Sequence, residues 1–314
     1  MEKFQELINI ERDLAIYNKN LYSNSYEIPI GTVSSDSAAV VGVDGWHFIA
    51  DGSNEWEKQF IGLINYSEID LNIWKNTFEK RSDSAKSIGA IFRHYIIPEK
   101  QSIYPELRWP QGSLTVKNER PMIQLSKIIT ANMIYPLEVL KAESWRADIF
   151  PRGNSHWSTS ANWIGFTELM ESVWPLRIFD FNIVPLYKNY LRHDLLVKFT
   201  DDICYEQVVS ISRRSKILYN NKLLLNTGIH VGNHYILFNE DAPYVETVVI
   251  YGDSYSYDVG FSDLISVFFQ KVHFIWGTSI DFDYCKKMGA NLIIMENAER
   301  FMIRKQVSDN FFSI

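Results

Sequence analysis

Glu246-Thr-Val-Val-Ile-Tyr-Gly-Asp-Ser-Tyr-Ser256 is the stretch on which the fold turns. Its apolar run, Val248 to Tyr251, has the length and β-branched content of a buried strand. The run breaks at Gly252, and Asp253 and Ser254 follow at the turn. Apolar residues at Phe261, Leu264, Ile265 and Phe268 then predict a helix over 261–270. Acyl-transfer enzymes place a nucleophile at such a point, after a strand and at the mouth of a helix. Unpaired backbone N–H groups there can hold an oxyanion. Ser256 stands where a Gly-x-Ser-x-Gly elbow needs its second glycine, which argues against an α/β-hydrolase. The plainer reading of the same turn is that Ser254 only caps the helix.

Working outward, strands and helices alternate after residue 246: a strand, a helix, a strand over 271–276, a short helix, a strand over 291–295 and a last helix. That alternation implies a parallel sheet with right-handed crossovers. Upstream, helices are predicted over 1–21, 67–86 and 122–140, the last broken at Pro136, and a strand over 88–97. Asp44-Gly45 between apolar runs signals a hairpin. Phe150 to Trp157 reads as a loop, with Ser158 as N-cap of a helix running to about Val173. Residues 177–245 alternate apolar and polar and read as short strands and loops. Residues 1–37 read as an N-terminal helix and a Ser-rich linker, and 38–314 as one catalytic domain.

The 314 residues carry a net charge of −7, which argues against a nucleic-acid partner. Nine Trp and seventeen Tyr suit a sugar-facing surface and equally a plain core. Cys204 and Cys285 are the only cysteines, so neither a disulfide framework nor a zinc knuckle is indicated. His230 and His234 are four apart with no glutamate between, unlike a zinc helix. No phosphate-cradling or dinucleotide loop is present, and neither a metal nor a cofactor is expected. No run is long enough to span a membrane. The first residues lack the apolar core of a secretory signal. That places the chain in the cytoplasm, or in the periplasm if it has been trimmed.

Serine needs a base. Among seven histidines, His156 stands out in a polar loop, two residues after Asn154, whose side chain can reach the ring and fix its tautomer. Five blocks in order then resemble the alginate O-acetyltransferase family of the AlgX/AlgJ type: Val43-Asp-Gly-Trp-His-Phe48; Ile96-Ile-Pro-Glu-Lys100 with Tyr104-Pro-Glu106; Arg152-Gly-Asn-Ser-His-Trp157; Gly252-Asp-Ser-Tyr-Ser256; and Leu292-Ile-Ile-Met-Glu-Asn-Ala-Glu-Arg300. The resemblance spans roughly residues 38–304. It implies an α/β, SGNH-hydrolase-like (flavodoxin-like, three-layer) fold with a mainly parallel sheet.

The resemblance makes Ser254 the nucleophile and His156 the base. The family's orienting aspartate is Asn154 here. Asparagine accepts the Nδ1–H bond but cannot offset an imidazolium charge; the matching change in a serine protease costs about ten-thousand-fold in rate. Asp148, Asp253 and Glu296 are the substitutes nearest in sequence, and the choice among them stays open. Arg152, Trp157, Tyr104 and Asp253 are candidates for substrate or oxyanion contacts. Glu299 and Arg300 read as a salt-bridged helix face.

The function implied is O-acyl transfer, in particular O-acetylation of a glycan hydroxyl through an acyl-serine. The donor is open between acetyl-CoA and an acyl-carrying membrane partner. An SGNH-type carbohydrate esterase uses the same residues. A glycan-binding or assembly protein that has lost catalysis is the reading Asn154 favours. Larger family members add a carbohydrate-binding module after the Glu-Arg block, and none is expected here.

Overall fold

The computed structural model describes residues 2–21, 28–129, 131–200, 204–304 and 309. Its strands are β1 (Ala39–Val41), β2 (His47–Ile49), β3 (Ile91–Ile97), β4 (Met133–Ile134), β5 (Leu186–Arg192), β6 (Tyr205–Ile211), β7 (Lys216–Asn220), β8 (His234–Phe238), β9 (Tyr244–Gly252), β10 (Phe269–Trp276) and β11 (Leu292–Ala298). Seven of them form one sheet in the order β4-β3-β11-β9-β10-β8-β7. Pairing is parallel from β4 to β10 and antiparallel at β10/β8 and β8/β7. The α/β class and the mainly parallel sheet expected from the alternation are therefore present.

The anchor strand β9 is apolar on both faces because both faces are covered, as in parallel sheets generally. Successive side chains point to opposite sides. Val248 and Ile250 pack with the helices Thr159–Val173 and Phe261–Phe268. Val249 and Tyr251 pack with the helices Glu68–Ser87 and Phe282–Met288. Helix, sheet and helix make three layers. Each fully buried Val, Ile or Phe contributes about 1.5–3 kcal/mol. The helix Glu2–Leu21 docks on the first of these layers through the buried Leu7 and Ile8.

Several expectations are corrected. A flavodoxin-like sheet orders its parallel strands 2-1-3-4-5. Here the last strand, β11, inserts between β3 and β9, so the five run 2-1-5-3-4. Every residue of β11 is buried, which suits the centre of the sheet, while β10 is flanked by the antiparallel β8. The helix expected over 122–140 is two helices, Pro121–Ile128 and Leu137–Glu143, separated by β4. β4 finds a partner in β3, and the residue before Pro136 disfavours helix. The strand expected from residue 88 starts at Ile91, after a turn at Gly89 with φ of 76°. The helix expected to reach 270 stops at Phe268, where β10 begins.

Where the last helix is expected, the described residues form the 3₁₀ turn Glu299–Phe301, and both Glu299 and Arg300 are buried rather than on a surface face. Of the Ser-rich linker, residues 22–27 lie outside the described residues. The remainder folds onto the β1/β2 hairpin: Val33 bridges Val40, and the buried Ser34 Oγ accepts from the Ala39 N–H at 2.9 Å. The hairpin turn at Asp44-Gly45 is as expected. No described helix is long and apolar enough to cross a membrane.

One buried ion pair ties Asp309 to the body of the fold. Arg81 of the helix Glu68–Ser87 donates from Nε and Nη2 to Asp309 at 2.7 and 3.0 Å, and both side chains are 1% exposed. Asp309 Oδ1 also accepts from the Ile280 N–H at 2.8 Å. Removing one partner of such a pair strands a buried charge. Asp309→Ala is predicted to destabilise the protein by about 3–5 kcal/mol in urea unfolding.

Candidate active site

The site forms where β9 and β11 end. Their register runs to Tyr251↔Met295 and then stops. Beyond it, side chains carry the connection. Glu296 Oε2 accepts from the Asp253 N–H at 3.1 Å and from Ser256 Oγ at 2.7 Å. Asp253 Oδ2 in return accepts from the Ala298 N–H at 2.9 Å. Asp253 also caps the one-turn helix Ser254–Tyr257, its Oδ1 accepting from the Tyr255 N–H at 3.0 Å. The helix cap is thus Asp253, which leaves the Ser254 hydroxyl free for other work. Gly252 is required by the close approach: a Cβ there would lie 2.7 Å from Glu296 Oε2 and 2.9 Å from Ser256 Oγ.

The histidine loop comes from the other side. Ser158 caps the helix Thr159–Val173 by accepting from the Ala161 N–H, as expected. The loop before it is pinned by Lys100. That buried ammonium donates to the carbonyls of His47, Pro151 and Arg152 at 3.0, 2.6 and 3.0 Å, using all three of its protons. The Tyr255 hydroxyl donates to Ser155 O at 2.8 Å and joins the histidine loop to the serine turn.

These constraints bring His156 Nε2 within 2.8 Å of Ser254 Oγ, across 98 residues of sequence. On the other side of the ring, Asn154 Oδ1 lies 3.0 Å from His156 Nδ1. Asn154 Nδ2 donates to Arg192 O at 2.9 Å, so the amide oxygen is the atom that faces the histidine. Nδ1 must then carry the proton, and Nε2 is left bare to accept the serine O–H. Both Ser254 and His156 are half-buried.

The other sequence candidates have distinct places. Arg152 donates to Asp44 O at 2.5 Å, and its guanidinium sits 5.3 Å from the centre of the Trp46 ring. Trp157 is buried edge-on against Tyr255. Both line a cavity of about 330 Å³ beneath the N-terminal helix, behind the histidine loop. Ser254 and His156 do not line it. Tyr104 is buried against Trp46, its hydroxyl accepting from the Ile149 N–H at 3.0 Å. That is a packing position, outside the cavity lining.

Of the three substitute carboxylates, Asp253 and Glu296 are committed to the serine turn, and Asp148 lies against the cavity. The carboxylate that approaches His156 is one the sequence did not indicate: Asp194 Oδ2 is 3.7 Å from Nδ1. It stands 38 residues from the histidine, just past β5, and no local spacing marks it.

Below the site is a buried ionic layer. Arg300 pairs with Glu99, and Arg120 with Glu299 at 2.9 Å. Glu299 also accepts from the Glu99 N–H and from Ser102 Oγ. The Pro-x-Lys block and the Glu-Arg block of the sequence meet here. Among the described residues no cluster of His, Cys, Asp and Glu is arranged to hold a metal.

No protein-family model matches the chain, and no curated protein matches its sequence. Solved structures do match its fold. PatB1 of Bacillus cereus, solved with a sulfonyl adduct, aligns with a TM-score of 0.60 at 11% identity, covering 85% of this chain and 96% of that one. A DHHW family protein from Eubacterium siraeum aligns at 0.55 and 11%, covering 88% and 96%. The O-acetyltransferase domain of AlgJ from Pseudomonas putida aligns at 0.49 and 14%, covering 86% and 94%.

Burial first, and then the neighbouring Asp253, push the Glu296 carboxyl well above its ordinary value of 4.5. The fold therefore favours the protonated form of this carboxyl. Because the folded state holds a proton the unfolded chain releases, this group's stabilisation is full below about pH 4.5 and declines as pH rises. Glu296→Gln is predicted to remove that decline. Urea unfolding at about pH 5 and about pH 8 checks it: wild type loses stability relative to the Gln variant between the two.

Proposed function

We propose that this chain is a serine-dependent O-acyltransferase of the SGNH-hydrolase-like kind that acylates a glycan hydroxyl. The observation that carries the reading is the Ser254–His156–Asn154 chain of contacts at 2.8 and 3.0 Å, with the tautomer set by the Arg192 carbonyl. A serine–imidazole pair of this geometry, at the open end of a parallel sheet, is equipped for nucleophilic acyl transfer. The resemblance of the five sequence blocks to the AlgX/AlgJ family supplies the acetyl group and the glycan acceptor.

The steps follow from the residues. Ser254 Oγ attacks the acyl carbonyl of the donor while His156 Nε2 takes the hydroxyl proton. The Ser254 N–H, at the first helical position and without an intrahelical partner, is the donor aimed at the oxyanion. The tetrahedral intermediate expels the donor's leaving group, which receives the proton from His156. A glycan hydroxyl then gives its proton to His156 and attacks the acyl-serine ester, and Ser254 is released with its proton restored. Arg152 and Trp157 line the cavity behind the histidine loop, which Ser254 and His156 do not, so neither is assigned to the acceptor at the reacting atoms. The donor is an activated acyl ester or thioester.

Wild-type protein is predicted to hydrolyse a chromogenic acetyl ester slowly, and Ser254→Ala to lose at least about a thousandfold in kcat. Adding an oligosaccharide acceptor is predicted to yield a product heavier by one acetyl group, read by mass spectrometry. Release of acetate alone would favour an esterase. No turnover, with glycan binding that survives Ser254→Ala, would favour the binding protein that Asn154 suggests.

A further inference from the structure

The chemistry just described leaves a charge without a counterpart. When His156 takes the serine proton it becomes an imidazolium. Asn154 accepts its Nδ1–H but brings no negative charge. Asp253 and Glu296 are occupied by the backbone of the serine turn.

Asp194 is the carboxylate in place. Its Oδ2 is 3.7 Å from His156 Nδ1 and accepts a hydrogen bond from Ser155 Oγ, the residue between Asn154 and His156. Its Oδ1 accepts from the Ser155 N–H at 2.7 Å. Ser155 Oγ is itself 3.5 Å from Nδ1. The segment bearing Asp194 is fastened to the loop on both sides. Arg192 O accepts from Asn154, and the N–H groups of Leu195 and Leu196 donate to Gly153 O at 3.1 and 3.2 Å. The approach is so close that a Cβ on Gly153 would lie 1.9 Å from His193 Nδ1. Two carboxylate hydrogen bonds and three backbone contacts hold Asp194 beside the ring.

We propose that Asp194 is a positioning residue that supplies the missing negative charge, acting beside the Asn154 contact and through the Ser155 hydroxyl. The work of one family aspartate is thereby divided: Asn154 sets the tautomer and Asp194 stabilises the imidazolium. The inference rests on the acyl-transfer reading. Other charged groups bear on it. Asp258, just after the serine turn, also interacts electrostatically with His156. Lys100 and Glu206 act on each other and on Asp194, and His193 interacts with Asp194 as well. The Asp194 side chain is 39% exposed, so solvent weakens the interaction without abolishing it.

Two readouts test this in the full-length protein. In the first, NMR follows the titration of the His156 imidazole, with no turnover needed. Asp194→Asn is predicted to move the midpoint to lower pH, because a nearby negative charge favours the protonated ring. Asp258→Asn is predicted to move it less. An unchanged midpoint in Asp194→Asn, or a larger shift in Asp258→Asn, overturns the proposal. If Asp194→Asn fails to fold, Asp194→Glu compared with Asp194→Gln reads the same charge.

The second readout is kinetic. Asp194→Asn is predicted to lower kcat on the chromogenic ester about tenfold to a hundredfold, with KM little changed and the acid limb of the rate profile moved to lower pH. Adding Asn154→Asp to that variant returns most of the rate, since a carboxylate again contacts the ring. A double variant as slow as Asp194→Asn overturns the proposal. An NMR shift in a protein with no Ser254-dependent turnover supports the charge coupling and rejects the acyl-transfer reading, so the two fail separately.

Discussion

The end of the β9/β11 pairing is the constraint on which the site depends. Up to Tyr251 and Met295 the two strands are joined by backbone hydrogen bonds. Past that point β11 continues along β3 to Ala298, while β9 turns into a one-turn helix. A divergence of two central strands leaves buried backbone donors without ladder partners, which is costly. Glu296 and Asp253 take up those donors. A turn results that rests on the buried Glu296 and presents Ser254 at its edge. With a Cβ at position 252, or without the acceptor at 296, the serine turn could not close in this form.

The second constraint is the ionic layer under the site. Buried charges are tolerated only when paired and hydrogen-bonded. Here Glu99 pairs with Arg300 and Glu299 with Arg120, and Lys100 donates to three carbonyls. Such a layer is weak as a source of net stability and strong as a source of register. Its members come from three distant parts of the chain, and the histidine loop is placed by one of them.

Much of the site was legible because its chemistry is local. A strand that breaks at Gly-Asp-Ser marks Ser254, and a polar loop before a capped helix marks His156 and Asn154. Periodicity also located the helices Glu68–Ser87 and Thr159–Val173, whose amphipathic or buried character is written in consecutive turns. What escaped is non-local. Asp194 approaches His156 from just past β5, which is placed by its pairing with β6 and not by spacing. Insertion of β11 at the centre of the sheet depends on which strand best fills it, and every candidate strand was apolar. Glu299 and Arg300 read as surface because charged residues usually are; their partners lie about 180 to 200 residues away.

The central claim is that His156 makes Ser254 a nucleophile. An aryl or alkyl sulfonyl fluoride reports this directly, since only an activated hydroxyl displaces fluoride at an appreciable rate. Incubation of the protein with such a reagent, followed by peptide mapping by mass spectrometry, is predicted to place one sulfonyl group on Ser254. His156→Ala is predicted to abolish the label while leaving the fold intact by circular dichroism. Absence of label in the wild-type protein, or equal labelling of Ser254 in His156→Ala, would contradict the account.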